Sequence, residues 1–333
     1  IIKATLFMII FYSLNAIIHF DFMDDKIGMA GIAGIHTLIN LVATPLMLPF
    51  SGILVNLALK TIPIDDKEKK EQEEMQGIRT LDPLFLSNPT FALEQARQAA
   101  VTMAVMTKES LEKAIGLITK FDSEVAAEVD YLERQVDKYE DELGTYLMKI
   151  NSHHLGQEDS HTLSLLLHCI TDYERISDHA LNIAQKAESM EENGRKFTPK
   201  AQTEMNIYST AVIDIVNTSV TAFDNQDAKL AKTIEPLEET IDEIQKEVKR
   251  RHIRRLRKGK CTIEQGFDLS DIGTDFERIA DHCSNIAVGI IESHEDNYFA
   301  HGYLETLKAE KNDGFEQAVD FYERKYRLPA VKY

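Results

Sequence analysis

The chain has 333 residues, with 37 Lys and Arg against 55 Asp and Glu, a formal charge of −18 at pH 7. Such a length supports two or three compact units, and the acidic balance excludes a general nucleic-acid binder while suiting cations or basic partners. Cys169, Cys261 and Cys283 are scattered, which excludes a disulfide framework and a CxxC metal pair and fits reduced thiols in a cytosolic setting.

Residues 1 to about 20 are apolar and long enough to cross a bilayer, which takes roughly 20 residues. The chain opens on Ile1 without a charged signal-peptide start, so it is taken as a piece of a longer protein. After an acidic turn at 21–26, residues 28–59 run almost without charge but contain Pro45 and Pro49. A broken or re-entrant helical pair is the expectation. His36, Thr37 and Asn40 inside it are candidates for a transport path, since polar groups at membrane depth usually face a bundle interior. The plainer alternative has the hydroxyls bonding to their own helix and His36 at a boundary. Lys60, Lys67, Lys69 and Lys70 follow the last apolar residue, which places everything after about residue 60 in the cytoplasm of a multi-pass inner-membrane protein.

The expected organisation is a membrane segment over 1–62, a charged linker over 63–89, a six-helix domain over 90–293 and a helical tail over 294–333. The linker lacks apolar periodicity. From Thr90 the 3.6-residue pattern predicts helices over 90–119, 122–151, 158–191, 199–224, 227–258 and 262–293. In the third and sixth, Asp172-Tyr-Glu-Arg-Ile-Ser-Asp178-His179-Ala-Leu-Asn182-Ile-Ala184 recurs as Asp275-Phe-Glu-Arg-Ile-Ala-Asp281-His282-Cys-Ser-Asn285-Ile-Ala287, nine of thirteen positions identical. The fold class is therefore all-α, with transmembrane helices followed by tandem three-helix bundles.

Each copy stacks a Glu on an Asp at i and i+4, Glu174/Asp178 and Glu277/Asp281, an arrangement that repels and asks for a cation. The preceding helices carry two more such pairs, Glu133/Asp137 and Glu238/Asp242. Taken alone, an acidic pair on an acidic helix is more often a solvated face. Arg175 and Arg278 can also pair with nearby acids, Asp172 and Asp275 among them. His179 and His282 fall away from the acidic pairs on a helical wheel and suit surface or supporting positions. A run of nine cations from Lys246 to Lys260 ends the fifth helix. It suits the negative end of a helix dipole, anionic lipid headgroups or an acidic partner. No P-loop, dinucleotide glycine pattern or nucleophilic triad appears, so no enzyme is expected, and carboxylate-bridged redox chemistry lacks its Glu-x-x-His motif.

The two signatures, each preceded by Leu-Glu-x-x-(Val/Ile)-Asp on the previous helix, resemble the PhoU family over about residues 90–293. Ile32-Ala-Gly-Ile-His36-Thr37-Leu-Ile-Asn40, with Thr44 and Leu48-Pro49-Phe50, resembles the end of the sodium/phosphate cotransporter family. So does Leu81-Asp-Pro-Leu-Phe-Leu leading into Ala92-Leu-Glu-Gln-Ala-Arg97. Bacterial members of that family carry a PhoU-like domain behind the transporter; the glutamine-serine repeats of the substrate path are absent, as a C-terminal piece requires. The resemblance implies an iron or zinc cluster held by Glu133, Asp137, Glu174 and Asp178 in one half and by Glu238, Asp242, Glu277 and Asp281 in the other, with Asp172 and Asp275 as further ligands. It implies a sodium-dependent phosphate symporter with a cytoplasmic regulatory domain, sodium as coupling ion, and phosphate, membrane lipids and a second copy or regulatory protein as partners. The alternative is a membrane-anchored PhoU-like regulatory module of phosphate uptake without transport activity of its own.

Overall fold

In the computed structural model of the chain, residues 11–13, 15–19, 28, 37, 41, 81–151, 155–294 and 313–330 are described, and every regular element among them is helical. The chain divides into two units, Ile1–Glu73 and Glu74–Tyr333. In the first, residues 11–13 and 15–18 are helical, and most of the expected membrane segment lies outside the described residues.

In the second unit, a 3-10 turn at Pro83–Ser87 leads into α1 (Pro89–Thr119), α2 (Ser123–Asn151) and α3 (Gln157–Glu192). Then come α4 (Pro199–Asn225), the single turn α5 (Ala228–Ala231), α6 (Ile234–Arg257), α7 (Ile263–Glu292) and α8 (Asp313–Lys325). Local chemistry sets the starts. Asn88 and Thr198 cap the first free amides of α1 and α4, each followed by a proline at the first helical position, where a missing N–H costs nothing. Thr262 and Gln265 form a reciprocal capping box on α7.

The predicted fifth helix is instead broken at Lys232–Thr233. Pro236 is the reason, because its ring would clash with the carbonyl of residue 232 in a continuous helix. Gly259, at φ 62°, turns the chain from α6 into α7, a left-handed geometry that glycine adopts without strain.

α1, α2 and α3 pack on one another, α4, α6 and α7 do the same, and α3 against α7 and α1 against α4 join the two sets. Apolar signature positions supply the core: Ile176, Ala180 and Ile183 of α3, and Ile279, Cys283 and Ile286 of α7, are buried. The second signature position is aromatic in both copies, and each ring meets an α4 aromatic edge-on. Tyr173 lies 5.5 Å from Phe223, and Phe276 lies 4.9 Å from Tyr208. Burying one such ring contributes about 1.5–3 kcal/mol. α8 packs on α6. All three cysteines are free thiols.

The transmembrane part of the expected fold is corrected. No helix among the described residues is long and apolar enough to cross a membrane; the long helices here are amphipathic, with one face in a shared core and the other charged. The expected multi-pass inner-membrane location, with its cytoplasmic side after residue 60, has no such helix to rest on.

Candidate functional site

A polar seam joins α3 and α7. His179 Nδ1 lies 2.9 Å from Asp275 Oδ1, and His282 Nδ1 lies 2.8 Å from Asp172 Oδ1. Each histidine thus reaches into the other repeat, and the imidazoles lie 5.9 Å apart. All four side chains are between 15 and 21 % exposed, so water screens the contacts only partly. Of the surface or supporting position expected of His179 and His282, this geometry fits the supporting one, since each imidazole bonds a signature aspartate. Asp172 and Asp275, expected as further metal ligands, are hydrogen-bond partners across the repeat seam through Oδ1.

The outward faces of the same helices carry the stacked acids. Arg175 reaches Glu174 at 3.4 Å and Asp178 at 3.7 Å; in the second repeat Arg278 reaches Glu277 at 3.6 Å and Asp281 at 3.5 Å. These arginines therefore lie along the acidic pairs and not on Asp172 or Asp275. Burial pushes the Glu174 carboxyl up to about 7, reinforced by Asp178, opposed by Arg175 and further raised by Glu140. Glu133 is raised by burial and then by the charges of Asp178 and Asp137, so α2 and α3 feel one acidic field. In the second repeat burial again leads, with Asp281 and Asp242 raising Glu277 and Asp242 and Glu235 raising Asp281.

Two contributors stand outside the expected ligand set. Glu140 stands seven residues after Glu133, hence on the same face of α2. Glu235 is buried and accepts a hydrogen bond from Ser284 Oγ; its position three residues before Glu238 was the available signal. Glu238 is half-buried on α6.

Hard carboxylate oxygens are the right donors for an oxygen-preferring cation, and such an ion would stabilise the charged forms that burial and, behind it, neighbouring acids disfavour. Their placement is less favourable. Among the described residues, no group of three or more His, Cys, Asp and Glu side chains is gathered as a metal site. The eight expected ligands form two acidic faces rather than two coordination spheres.

Of the expected transport-path residues, Thr37 is helical and exposed, while His36 and Asn40 lie outside the described residues. The basic run ending α6 is divided. Arg251 and Arg255 turn inward to buried Glu204, at 3.4 and 2.7 Å, while Lys249, Arg257, Lys258 and Lys260 remain exposed.

Comparison with known proteins meets this duplicated geometry twice over. The family described as "PhoU domain" matches at residues 100–187 and again at 206–289, one match for each half. A phosphate-specific transport system accessory protein PhoU homolog of Aquifex aeolicus is 27% identical over 189 residues, covering 56% of this chain and 83% of the relative. Homolog 1 of Thermotoga maritima is 27% identical over 195 residues, covering 57% and 81%. The crystal structure of PhoU from Pseudomonas aeruginosa superposes with a TM-score of 0.57 at 23% identity, covering 60% of this chain and 96% of that one. The phosphate transport system regulatory protein PhoU from Streptococcus pneumoniae gives 0.57 at 17% identity, over 64% and 99%. At those identities the two structures speak for the helical fold.

Proposed function

Since the chain belongs to the PhoU family, we propose that it acts as a regulatory component of a phosphate transport system, working by protein contact and not by catalysis. The observation that carries this reading is the double family match, which spans both repeats and both signature helices. The matched relatives are named as accessory proteins of phosphate-specific transport, not as enzymes. None of these comparisons is to a sodium/phosphate cotransporter, so the regulatory alternative displaces the symporter expectation, and sodium has no residue assigned to it.

In this reading the α3–α7 seam sets the relative position of the two repeats, and their acidic faces are the surface offered to a partner. The stacked carboxylates favour a basic contact surface or a bound cation, either of which would stabilise the charged forms that burial first, and neighbouring acids second, disfavour at Glu133, Glu174, Glu277 and Asp281. A divalent ion there would be held by Glu133, Asp137, Glu174 and Asp178, or by Glu238, Asp242, Glu277 and Asp281. It would supply charge neutralisation only.

Radiolabelled phosphate uptake in cells with and without the chain tests the reading. Loss of the chain is expected to change how uptake responds to external phosphate, and the full chain is expected to co-purify with a component of the transport system. Unchanged uptake regulation together with no such co-purification would refute it.

A further inference from the structure

The nine cations from Lys246 to Lys260 sit in a chain of net charge −18, and the fold sorts them by direction. Arg251 and Arg255 are consumed internally: both bond Glu204, and Arg251 also donates to the Pro329 carbonyl at 2.8 Å. The outward set is different. Arg250, Ile253, Arg254 and Arg257 recur at i, i+3, i+4 and i+7, which places them on one stripe of α6. Arg250 pairs with Glu247 yet remains 63% exposed. Beyond Arg257 the exposed Lys258 and Lys260 flank the turn made by Gly259.

The same tip is unusually apolar for a surface. Ile253 is 45% exposed, and the opening turn of α7 adds Ile263 at 59% and Phe267 at 64%. Ile263 and Phe267 are four residues apart and share a face. At 1.5 Å per helical residue, all three lie within roughly 10 Å of the hairpin end. The loop before α4 also comes to this end: Gln265 Nε2 donates to the Lys196 carbonyl at 2.6 Å, which brings another exposed lysine beside the first turn of α7. From Lys249 to Phe267 the sequence contains eight Lys and Arg and one acid, Glu264.

We propose that the α6–α7 hairpin tip is a docking site for an anionic lipid surface. Ile253, Ile263 and Phe267 enter the headgroup region while the surrounding cations meet lipid phosphates. The contact is made from one side of the bilayer. Bulky apolar groups interspersed with long cationic stems suit an interface that is wet at one level and oily a few ångströms deeper. Three exposed apolar side chains, Ile253, Ile263 and Phe267, stand among the cations, where a purely acidic protein surface would offer them nothing to enter. That favours a lipid surface over an acidic protein, although both share the charge complementarity.

Co-sedimentation of the full chain with vesicles tests this, using phosphatidylcholine alone and phosphatidylcholine mixed equally with phosphatidylglycerol. The neutral vesicles subtract any lipid affinity that arises elsewhere in the chain. The chain is expected to bind the anionic vesicles more tightly, and added salt to weaken that excess. Each cation neutralised should cost about fivefold in partitioning, so Lys258→Gln/Lys260→Gln should lose about 25-fold. Ile263→Ser/Phe267→Ser should lose the excess with its charge unchanged. All four positions are exposed, and unchanged circular dichroism of the variants would separate lost docking from lost folding. Equal binding to both vesicle types, or undiminished binding by both variants, would overturn the proposal. So would binding to immobilised polyglutamate without binding to anionic vesicles, which would assign the tip to an acidic protein.

Discussion

Asp172 and Asp275 each stand three residues ahead of an arginine, yet each is held by a histidine of the other repeat. Removing one imidazole leaves a half-buried carboxylate without that partner. His179→Ala or His282→Ala should each cost about 1–3 kcal/mol of stability, read by urea denaturation. Because the two rings are 5.9 Å apart, the double variant should depart from additivity by at least about 0.5 kcal/mol; strict additivity would mean that the two pairs act separately. The acidic faces carry a different expectation. If they hold a metal, elemental analysis of the purified chain should find it, and Glu174→Gln/Glu277→Gln should lower the content. Unchanged content would remove both residues from any ligand set. Sequence spacing exposed these faces, since i, i+4 acids are visible on any helical wheel. It could not expose the crossed pairs, whose members are 96 and 110 residues apart. A histidine judged from its own helix alone looks peripheral.

Among the elements, the starts of α1, α4 and α7 were legible because each carries its cap in the sequence. The break before α6 was hidden by a periodic apolar pattern that runs across it, and only Pro236 marked it. α8 adds a contact that periodicity cannot assign: Lys325 Nζ lies 2.7 Å from Asp214 Oδ2, and the Tyr326 hydroxyl donates to the same oxygen. Burial alone would raise the Asp214 carboxyl, but these two hydrogen bonds outweigh it and hold the pKa below its ordinary 3.8. A carboxyl depressed on folding contributes stability above its unfolded pKa and loses it as the pH falls through the folded value. The docking of α8 should therefore persist at pH 5 and weaken below about pH 3.8. Pepsin cleavage within residues 313–330, followed by mass spectrometry, would report it. Asp214→Asn should make that segment cleavable already at pH 5, and equal resistance in the variant would show that the contact does not hold α8.

For the whole second unit, stability is shared by two aromatic pairs that meet on α4, Tyr173 with Phe223 and Tyr208 with Phe276. Phe276 is fully buried, so Phe276→Ala should cost about 3–5 kcal/mol and lower the thermal midpoint of both repeats in one transition. Separate transitions would mean that the repeats melt independently. The all-α class and the duplication were legible in the sequence, because the repeated signature fixes which helices correspond. The route by which the halves join was not, because α3 against α7 and α1 against α4 are contacts between segments that helical periodicity cannot relate.

The crossed seam has one more consequence. Position 172 meets the counterpart of 179 in the other repeat, and 179 meets the counterpart of 172. That is the exchange rule of a two-fold interface between identical subunits, here written within one polypeptide. Because a tether supplies the partner at a fixed effective concentration, the seam is indifferent to dilution in a way that a dimer of single repeats is not. Opening the peptide chain in the loop at 193–198 would remove that indifference and turn an intramolecular fit into an association governed by protein concentration.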